Sequence, residues 1–560
     1  MLTSSLVSVR DVPPRPALDR EVLHARDFLT TRVLESVRPD GAILGDCESR
    51  VLESALALHL LRVLDRHLVC RERAVGYLRR EWRKGALDPF HRALVIAALG
   101  LEAESSSMAA VSAFLDGFEH FSSRRKHVLF NIILGAVGGA MPDLGLREQD
   151  FVPGPELQRW VSVMTLALGV LYFVGRGQPE RIDPAHIEVL KLAAQPRERG
   201  QTWEQYLLAR LLAMLALAEL PGERDFVARS ADELVGQQRF DGGFSFIASM
   251  EIFATATAGL GLVGAGLPRA TLCRLGDYLA GQQRSNGGWG YAHGVNQTDV
   301  DDTAYCVEFL RAVDPFRYHG ALRRAEAYMV DMQNLDGGFP TFVRGAASEV
   351  AMTAAVLNAL APSHQRYRGL FSRALKFIAN HQDLDGTFER SWSSAHPNAI
   401  FRALLALQTQ QRCLSSLERL QAERRAMSYL RLSQNDDGGW GHIIGDGSDP
   451  ISSAYALITL SHFDAGYTMG RGVSYLIDQQ QSHGGFSSRP DQSGPRPIAY
   501  DVPVLADNFA LIALNHVIST HPLSEQPFTA LNTRRGNPGG MNFSWSNDTQ
   551  IWQVERASDA

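Results

Sequence analysis

The 560-residue sequence predicts an all-α chain of two domains, each a ring of paired helices, and three observations carry the prediction. First, a turn phrase recurs in the second half. "GQQRFDGGF" ends at Phe244, "GQQRSNGGW" at Trp289 and "MQNLDGGF" at Phe339, followed by "HQDLDGTF" at Phe388, "SQNDDGGW" at Trp440 and "QQQSHGGF" at Phe486. The copies lie roughly 45 to 52 residues apart, a period that fits a helical pair with its loops. Second, an amphipathic segment such as "ALRRAEAYMVDMQ" or "ERRAMSYLRLSQ" precedes each phrase, and a nearly apolar one such as "EVAMTAAVLNALA" or "ISSAYALITLSHF" follows it. An outer and an inner helix differ in this way. Third, β-strand signals are poor throughout.

Taken in order, the first half also reads as helices: "RVLESALALHLLRVLDRH", "FHRALVIAALGLEA", "RKHVLFNIILGAVGGA" and "TWEQYLLARLLAMLALAEL". "RPDGAILGDCESR" (Arg38 to Arg50) reads as a degenerate copy of the turn. The Pro- and charge-rich stretch from Gln178 to Gln201 reads as a surface connection within the first domain. Within each phrase, Gln can bond helix-end carbonyls, Asp-Gly-Gly makes the tight turn, and the aromatic ring packs against the next repeat. The phrase is therefore mostly structural.

Bulk properties exclude several classes. A net charge of −6 gives no reason to expect nucleic acid, and "RRK" (Arg124 to Lys126) is the one tight basic cluster near a plausible site. The cysteines (Cys47, Cys70, Cys273, Cys306, Cys413) show no CxxC spacing, against a zinc knuckle or disulfide framework and in keeping with a reducing cytosol. The N-terminus has no sustained apolar run of the secretory kind. "WVSVMTLALGVLYFVG" (Trp160 to Gly175) is short for a membrane span and reads as a buried helix, so no transmembrane segment is expected.

The chemistry-bearing feature is the run Asp299-Val300-Asp301-Asp302, just after the aromatic turn "NGGWGY" (Asn286 to Tyr291) and at the mouth of an apolar helix. Acids gather at helix N-termini because they cap orphan N–H groups and complement the dipole. A cap needs one carboxylate, and three are present. Crowded carboxylates resist ionising together, so one can keep its proton at neutral pH. A buried, protonated Asp among aromatic rings can protonate an unactivated carbon–carbon double bond.

With the turn repeats on both sides, "DYLAGQQRSNGGWGYAHGVNQTDVDDTAYCVEFL" resembles the class II terpene cyclases, which include squalene–hopene cyclases and bacterial copalyl diphosphate synthase-type diterpene cyclases. The DXDD motif and the QW-type turns carry the resemblance. It implies two α/α-barrel (toroid) domains in a βγ arrangement, with the active site between them. Residues 1–20 would pack with the β domain, 21–225 would form the γ domain and 226–560 the β domain.

By the same resemblance Asp301 is the general acid, with Asp299 and Asp302 holding and tuning it. A hydrogen-bond partner for the acid, commonly a His in the family, would come from "RSWSSAHPNAIFRALLALQ". Arg402 aligns with that position, and His396 and Asn398 lie just before it. The carbocation would need aromatic walls, which stabilise charge without attacking it. Tyr291 leads the candidates, followed by Trp289, Tyr305, Trp392 and Phe342, with Trp289 readable as ordinary packing.

The chain is near the size of the bacterial enzymes that retain a diphosphate. The implied substrate is therefore a linear prenyl diphosphate, C20 geranylgeranyl or C15 farnesyl, closed to a bicyclic diphosphate of the copalyl or drimenyl type. Squalene or a prenylated aromatic compound is the alternative. Arg124, Arg125 and Lys126 would bind the diphosphate, and Asp40, Asp46 and Glu48 could hold Mg²⁺ with it. Two neighbouring classes fit less well. "NDTQIWQVE" (Asn547 to Glu555) resembles a class I metal motif, but Ile551 replaces its hydroxyl residue and no DDxxD is present. Protein prenyltransferase subunits share such turns and invite comparison through Cys306, but the Asp-x-Cys element is missing.

Overall fold

The computed structural model describes residues 15–102, 107–116, 123–195, 202–408, 416–463, 466–520, 541–546 and 551–556. Cys413 and the start of the "NDTQ" stretch lie outside them. The chain opens with α1 (Arg15–Glu35). A first barrel follows, from α2 (Val51–Val63), α3 (Leu68–Lys84), α4 (Pro89–Leu99) and α5 (Ser107–Asp116) to α6 (Ser123–Gly138) and α7 (Arg159–Gly175). It ends with α8 (Pro184–Ala194), α9 (Leu207–Ala218) and α10 (Arg224–Leu234). Helices α2, α4, α6, α7 and α9 pack in a closed inner ring, with the others outside. The apolar segment from Trp160 is α7, a buried inner helix.

The second barrel has α11 (Glu251–Gly264), α13 (Val300–Val313), α15 (Val350–Leu360), α17 (His396–Gln408), α19 (Pro450–Phe463) and α21 (Val504–Thr520) as its inner ring, each packed on the next and α21 returning to α11. Its outer helices are α12 (Arg269–Gln282), α14 (His319–Asp331), α16 (Arg368–Asn380), α18 (Ser416–Leu432) and α20 (Tyr467–Asp478). Inner helices such as α15 are buried almost all round, whereas outer ones such as α16 bury a single stripe. Strands are few and short. Ser49–Arg50 pairs with Phe244–Ser245, Gln492–Ser493 with Ala499–Tyr500, and Met541–Ser546 with Ile551–Arg556.

The repeated Gln explains how the rings hold. Gln283 Nε2 donates to Gly287 O of its own turn and to Ala321 O of the next outer helix, at 2.8 and 2.9 Å. Gln333, Gln382 and Gln434 make the same pair of bonds. Each turn must come so close to its neighbour that only glycine fits. Gly287 has φ +92°, and a Cβ there would lie 2.4 Å from Arg324 O.

The last Gln bonds to α1, with Gln480 Nε2 donating to Ala25 O, and the helix packs on α20, α21 and α11. Helix α1 therefore closes the second ring, and residues 15–35 lie with that barrel, beyond the expected boundary at residue 20, while residues 1–14 lie outside the described residues. The first Gln bonds the other way, from Gln238 Nε2 to Cys70 O of α3. The expected boundary at 225 thus falls within a helix, α10, that packs on α9, and the first barrel runs on to the strand at Phe244. The Arg38 to Arg50 segment is a true copy of the turn, with Gly41 at φ +92° against Arg274 O.

Candidate active site

The acid run caps α13 between the two barrels. Asp299 is the N-cap, its Oδ1 accepting from Asp302 N at 2.7 Å, while its own N–H bonds Trp289 O at 2.9 Å. Thr303 Oγ ties the first turn back to Asp299 O and receives Trp289 N–H. The aromatic turn and the acid run are thus one hydrogen-bonded unit. This is why they stand so close in sequence.

The three carboxyls differ in surroundings. Asp299 and Asp302 are buried, and Asp302 Oδ1 has no hydrogen-bond partner among the described residues. Burial raises both above the usual carboxylate range, and their neighbouring charges raise Asp302 further. Both effects favour keeping a proton in the cluster. Asp301 is the least buried of the three, with its side chain 15% exposed, and Arg402 from α17 grips it with both guanidinium nitrogens, the longer arm at 3.3 Å. Arg402 also donates to Tyr305 OH at 2.9 Å. Burial opposes the charge on Arg402, but Asp301 outweighs it and holds the guanidinium as a cation.

Arg402, of the proposed partners, is the one the fold brings to Asp301. His396 starts the same helix on another face, bonds Phe388 O at 3.2 Å and packs edge-on against Tyr429. It does not reach the acid, because six residues along a helix carry a side chain to a different side. Asn398 is buried in a small crevice beside Asp301 and Arg402, with no hydrogen bond to the acid among the described residues.

All three carboxyls line a narrow inner chamber of about 60 Å³, walled by aromatic rings from both barrels. Tyr291, Phe342 and Trp392 stand in that wall as expected. Trp289 does not: it is fully buried in the barrel wall, its Nε1 donating to Leu279 O at 2.6 Å. Tyr305 stands behind the acid rather than in front of it, beneath the Arg402 guanidinium at 4.9 Å. Trp160 of α7 is central and was not expected from sequence. It meets Phe342 edge-on at 4.9 Å and stacks on Tyr206 at 5.1 Å. Phe246, Phe253 and Tyr500 complete the box. Glu204 braces it from the first barrel by accepting from the Asn296 and Gln297 N–H groups, at 2.6 and 3.1 Å, in the loop before the acid run.

A wider outer chamber of about 380 Å³ shares Trp160, Tyr206, Thr341, Phe342 and Trp392 with the inner one. Arg125 and Lys126 line it, joined by Arg496, which sequence reading missed. Burial, then Arg496 and Arg125, push the Lys126 ammonium down to about 6. Crowded cations of this kind suit a polyanion. Arg124 does not take part: it is largely exposed, 3.9 Å from Asp150. A helix side chain next in sequence points some 100° away.

The expected metal ligands are not brought together either. Asp40 Oδ1 accepts from Ala42 N as the Asp of its turn, just as Asp336 Oδ1 accepts from Gly338 N in another copy. Glu48 pairs with Arg239, and Asp46 lies on a backbone bridge to Ser249. None of the three lines the outer chamber, and no group of three His, Cys, Asp or Glu residues is placed to hold a metal ion among the described residues. Nor is any helix there long and apolar enough to cross a membrane.

Known proteins resemble the chain along most of its length. The squalene-hopene cyclase C-terminal domain family matches residues 346–517, and the prenyltransferase alpha-alpha toroid domain family matches residues 185–382. A drimenyl diphosphate synthase of Streptomyces showdoensis is 42% identical over 514 residues, 89% of this chain and 95% of that protein. Another, of Streptantibioticus cattleyicolor, is 41% identical over 541 residues, covering 92% and 98%. Among solved structures, ent-copalyl diphosphate synthase from Streptomyces platensis superposes with a TM-score of 0.54 at 18% identity, over 89% of this chain and 99% of that one. At that identity the likeness is one of fold.

Proposed function

The chain belongs to the class II terpene cyclases, and on that premise we propose that it closes farnesyl diphosphate to a bicyclic diphosphate of the drimenyl type. Of the two chain lengths left open by the sequence, C15 is favoured because both close relatives are named drimenyl diphosphate synthases. One observation carries the reading: an acid cluster in an aromatic chamber shares its wall with a chamber lined by cations. A chain with an alkene at one end and a diphosphate at the other fits that polarity.

In this reading Asp301 gives its proton to the terminal alkene. Arg402 stabilises the carboxylate left behind through its charge and forked contact, while Asp299 and Asp302 keep a proton within the cluster. Trp160, Tyr291, Phe342 and Trp392 face the cation through their π surfaces and keep water away. Arg125, Lys126 and Arg496 hold the diphosphate, which survives the reaction. Mg²⁺ would enter as the diphosphate's counter-ion, and Glu156 of the outer chamber is the carboxylate available to it. A cytoplasmic setting is part of the proposal.

Farnesyl diphosphate, geranylgeranyl diphosphate and squalene, each offered with and without Mg²⁺, test it. Bicyclic alcohols appearing from farnesyl diphosphate only after phosphatase treatment support the reading. Cyclisation of squalene alone overturns it.

A further inference from the structure

We propose that Thr341 and Glu349 form the base that ends the reaction, taking the final proton so that the product leaves as an alkene. The inference rests on the cyclase reading and deepens it.

Thr341 is one of the residues common to both chambers. Its hydroxyl donates to Glu349 Oε1 and accepts from Trp392 Nε1 at 3.1 Å, leaving one lone pair of the oxygen unused by these bonds. Glu349 is buried and lines the outer chamber. Its other oxygen accepts from Ser391 Oγ and from Arg496 Nη2, the latter at 3.2 Å. A buried carboxylate thus stands at the junction, bound on one side to a chamber cation and on the other to a hydroxyl in the aromatic wall.

Substrate chemistry places the last cation at that junction. When a C15 chain closes to a bicycle, the carbon left cationic is separated by a single carbon from the one bearing the diphosphate. With the diphosphate among Arg125, Lys126 and Arg496, the charge comes to rest near the shared wall rather than beside Asp301. There a C–H bond next to the cation breaks, and its electron pair becomes the new π bond. The proton passes to Thr341 Oγ, whose own proton moves to the Glu349 carboxylate. Asp301 gained its proton before the cycle and Glu349 loses this one to solvent after it, so the conversion is an isomerisation.

The test is the product spectrum of Thr341→Val and Glu349→Gln with farnesyl diphosphate. The product ratio is read at matched conversion, since Glu349 also pairs with Arg496 and either substitution can change the rate of consumption. The bicyclic alkene should fall by about tenfold or more in favour of hydroxylated or isomeric products, as the loss of a general base implies. A merely structural role would slow consumption and leave the product ratio unchanged. Wild-type product ratios from both variants overturn the proposal. Should Glu349→Gln not fold, the near-isosteric Thr341→Val decides alone. A wild-type product bearing a hydroxyl in place of the new double bond also overturns it, whereas a wild type that makes no bicycle refutes the cyclase reading beneath it.

Discussion

Replacing Arg402 by Gln removes the guanidinium from Asp301 while leaving one amide able to donate. The two groups are in a forked contact with Arg402 almost wholly buried, 5% exposed against 15% for Asp301. Unit charges about 4 Å apart interact by roughly 4 kcal/mol at the effective dielectric of about 20 that suits such sites. That attraction stabilises the Asp301 anion formed as the alkene takes its proton. Its loss raises the barrier, and each ~1.4 kcal/mol is tenfold in rate, so turnover should fall about a hundred- to a thousandfold after allowing for relaxation. The assay is the initial rate of bicyclic alcohol formation after phosphatase, with circular dichroism and melting as controls. Arg402→Lys keeps charge without the fork, and its turnover should lie between those of Arg402→Gln and wild type. Turnover by Arg402→Gln within about threefold of wild type would refute the argument that Arg402 stabilises the Asp301 anion as it forms.

Other outcomes follow from the same geometry. Asp301→Asn keeps the size of the side chain but removes the acidic proton, so cyclisation should be nearly abolished with far-UV dichroism unchanged. Burial raises the Asp299 carboxyl to about 7, and burial with neighbouring charges raises Asp302 well above the usual carboxylate range, so the cluster loses its proton, and the enzyme its rate, as pH rises through neutrality. The unfolded chain already has these groups ionised there and binds fewer protons, so their contribution to stability also declines with rising pH, and melting temperatures over the same range should report it. Lys126 is held at about 6 by burial and neighbouring cations, so inorganic diphosphate should draw a proton onto it at neutral pH. Calorimetry in buffers of different ionisation enthalpy would detect the uptake, and Arg496→Gln should raise KM about tenfold or more, as expected for a charge-assisted bond, while Arg124→Ala changes little.

The acid run, the turns and the alternation of inner and outer helices were legible because they are local. A cap, a positive-φ glycine and a helical period each operate within a few residues, so their signals lie side by side in the chain. Tyr291 was legible for the same reason, following the turn that delivers the acid run. What depended on distant packing was not. Arg402 and His396 looked interchangeable as partners until α17 took a rotation that points one at Asp301 and the other at Tyr429. Trp160 read only as part of a buried helix, since nothing in α7 announces that its end would face another barrel's carboxylates.

Asp40 looked like a metal ligand because an aspartate in a turn and one at a metal site share the same letter. Helix α1 meets the last turn through a backbone carbonyl, at Ala25, which any residue supplies, so that contact left no mark in the sequence. Sequence by itself determined which groups could give a proton and which turns would repeat. Tertiary structure decided which cation meets the acid, which rings wall the chamber and where each barrel ends, because these depend on how helix faces from separate parts of the chain are turned toward one another.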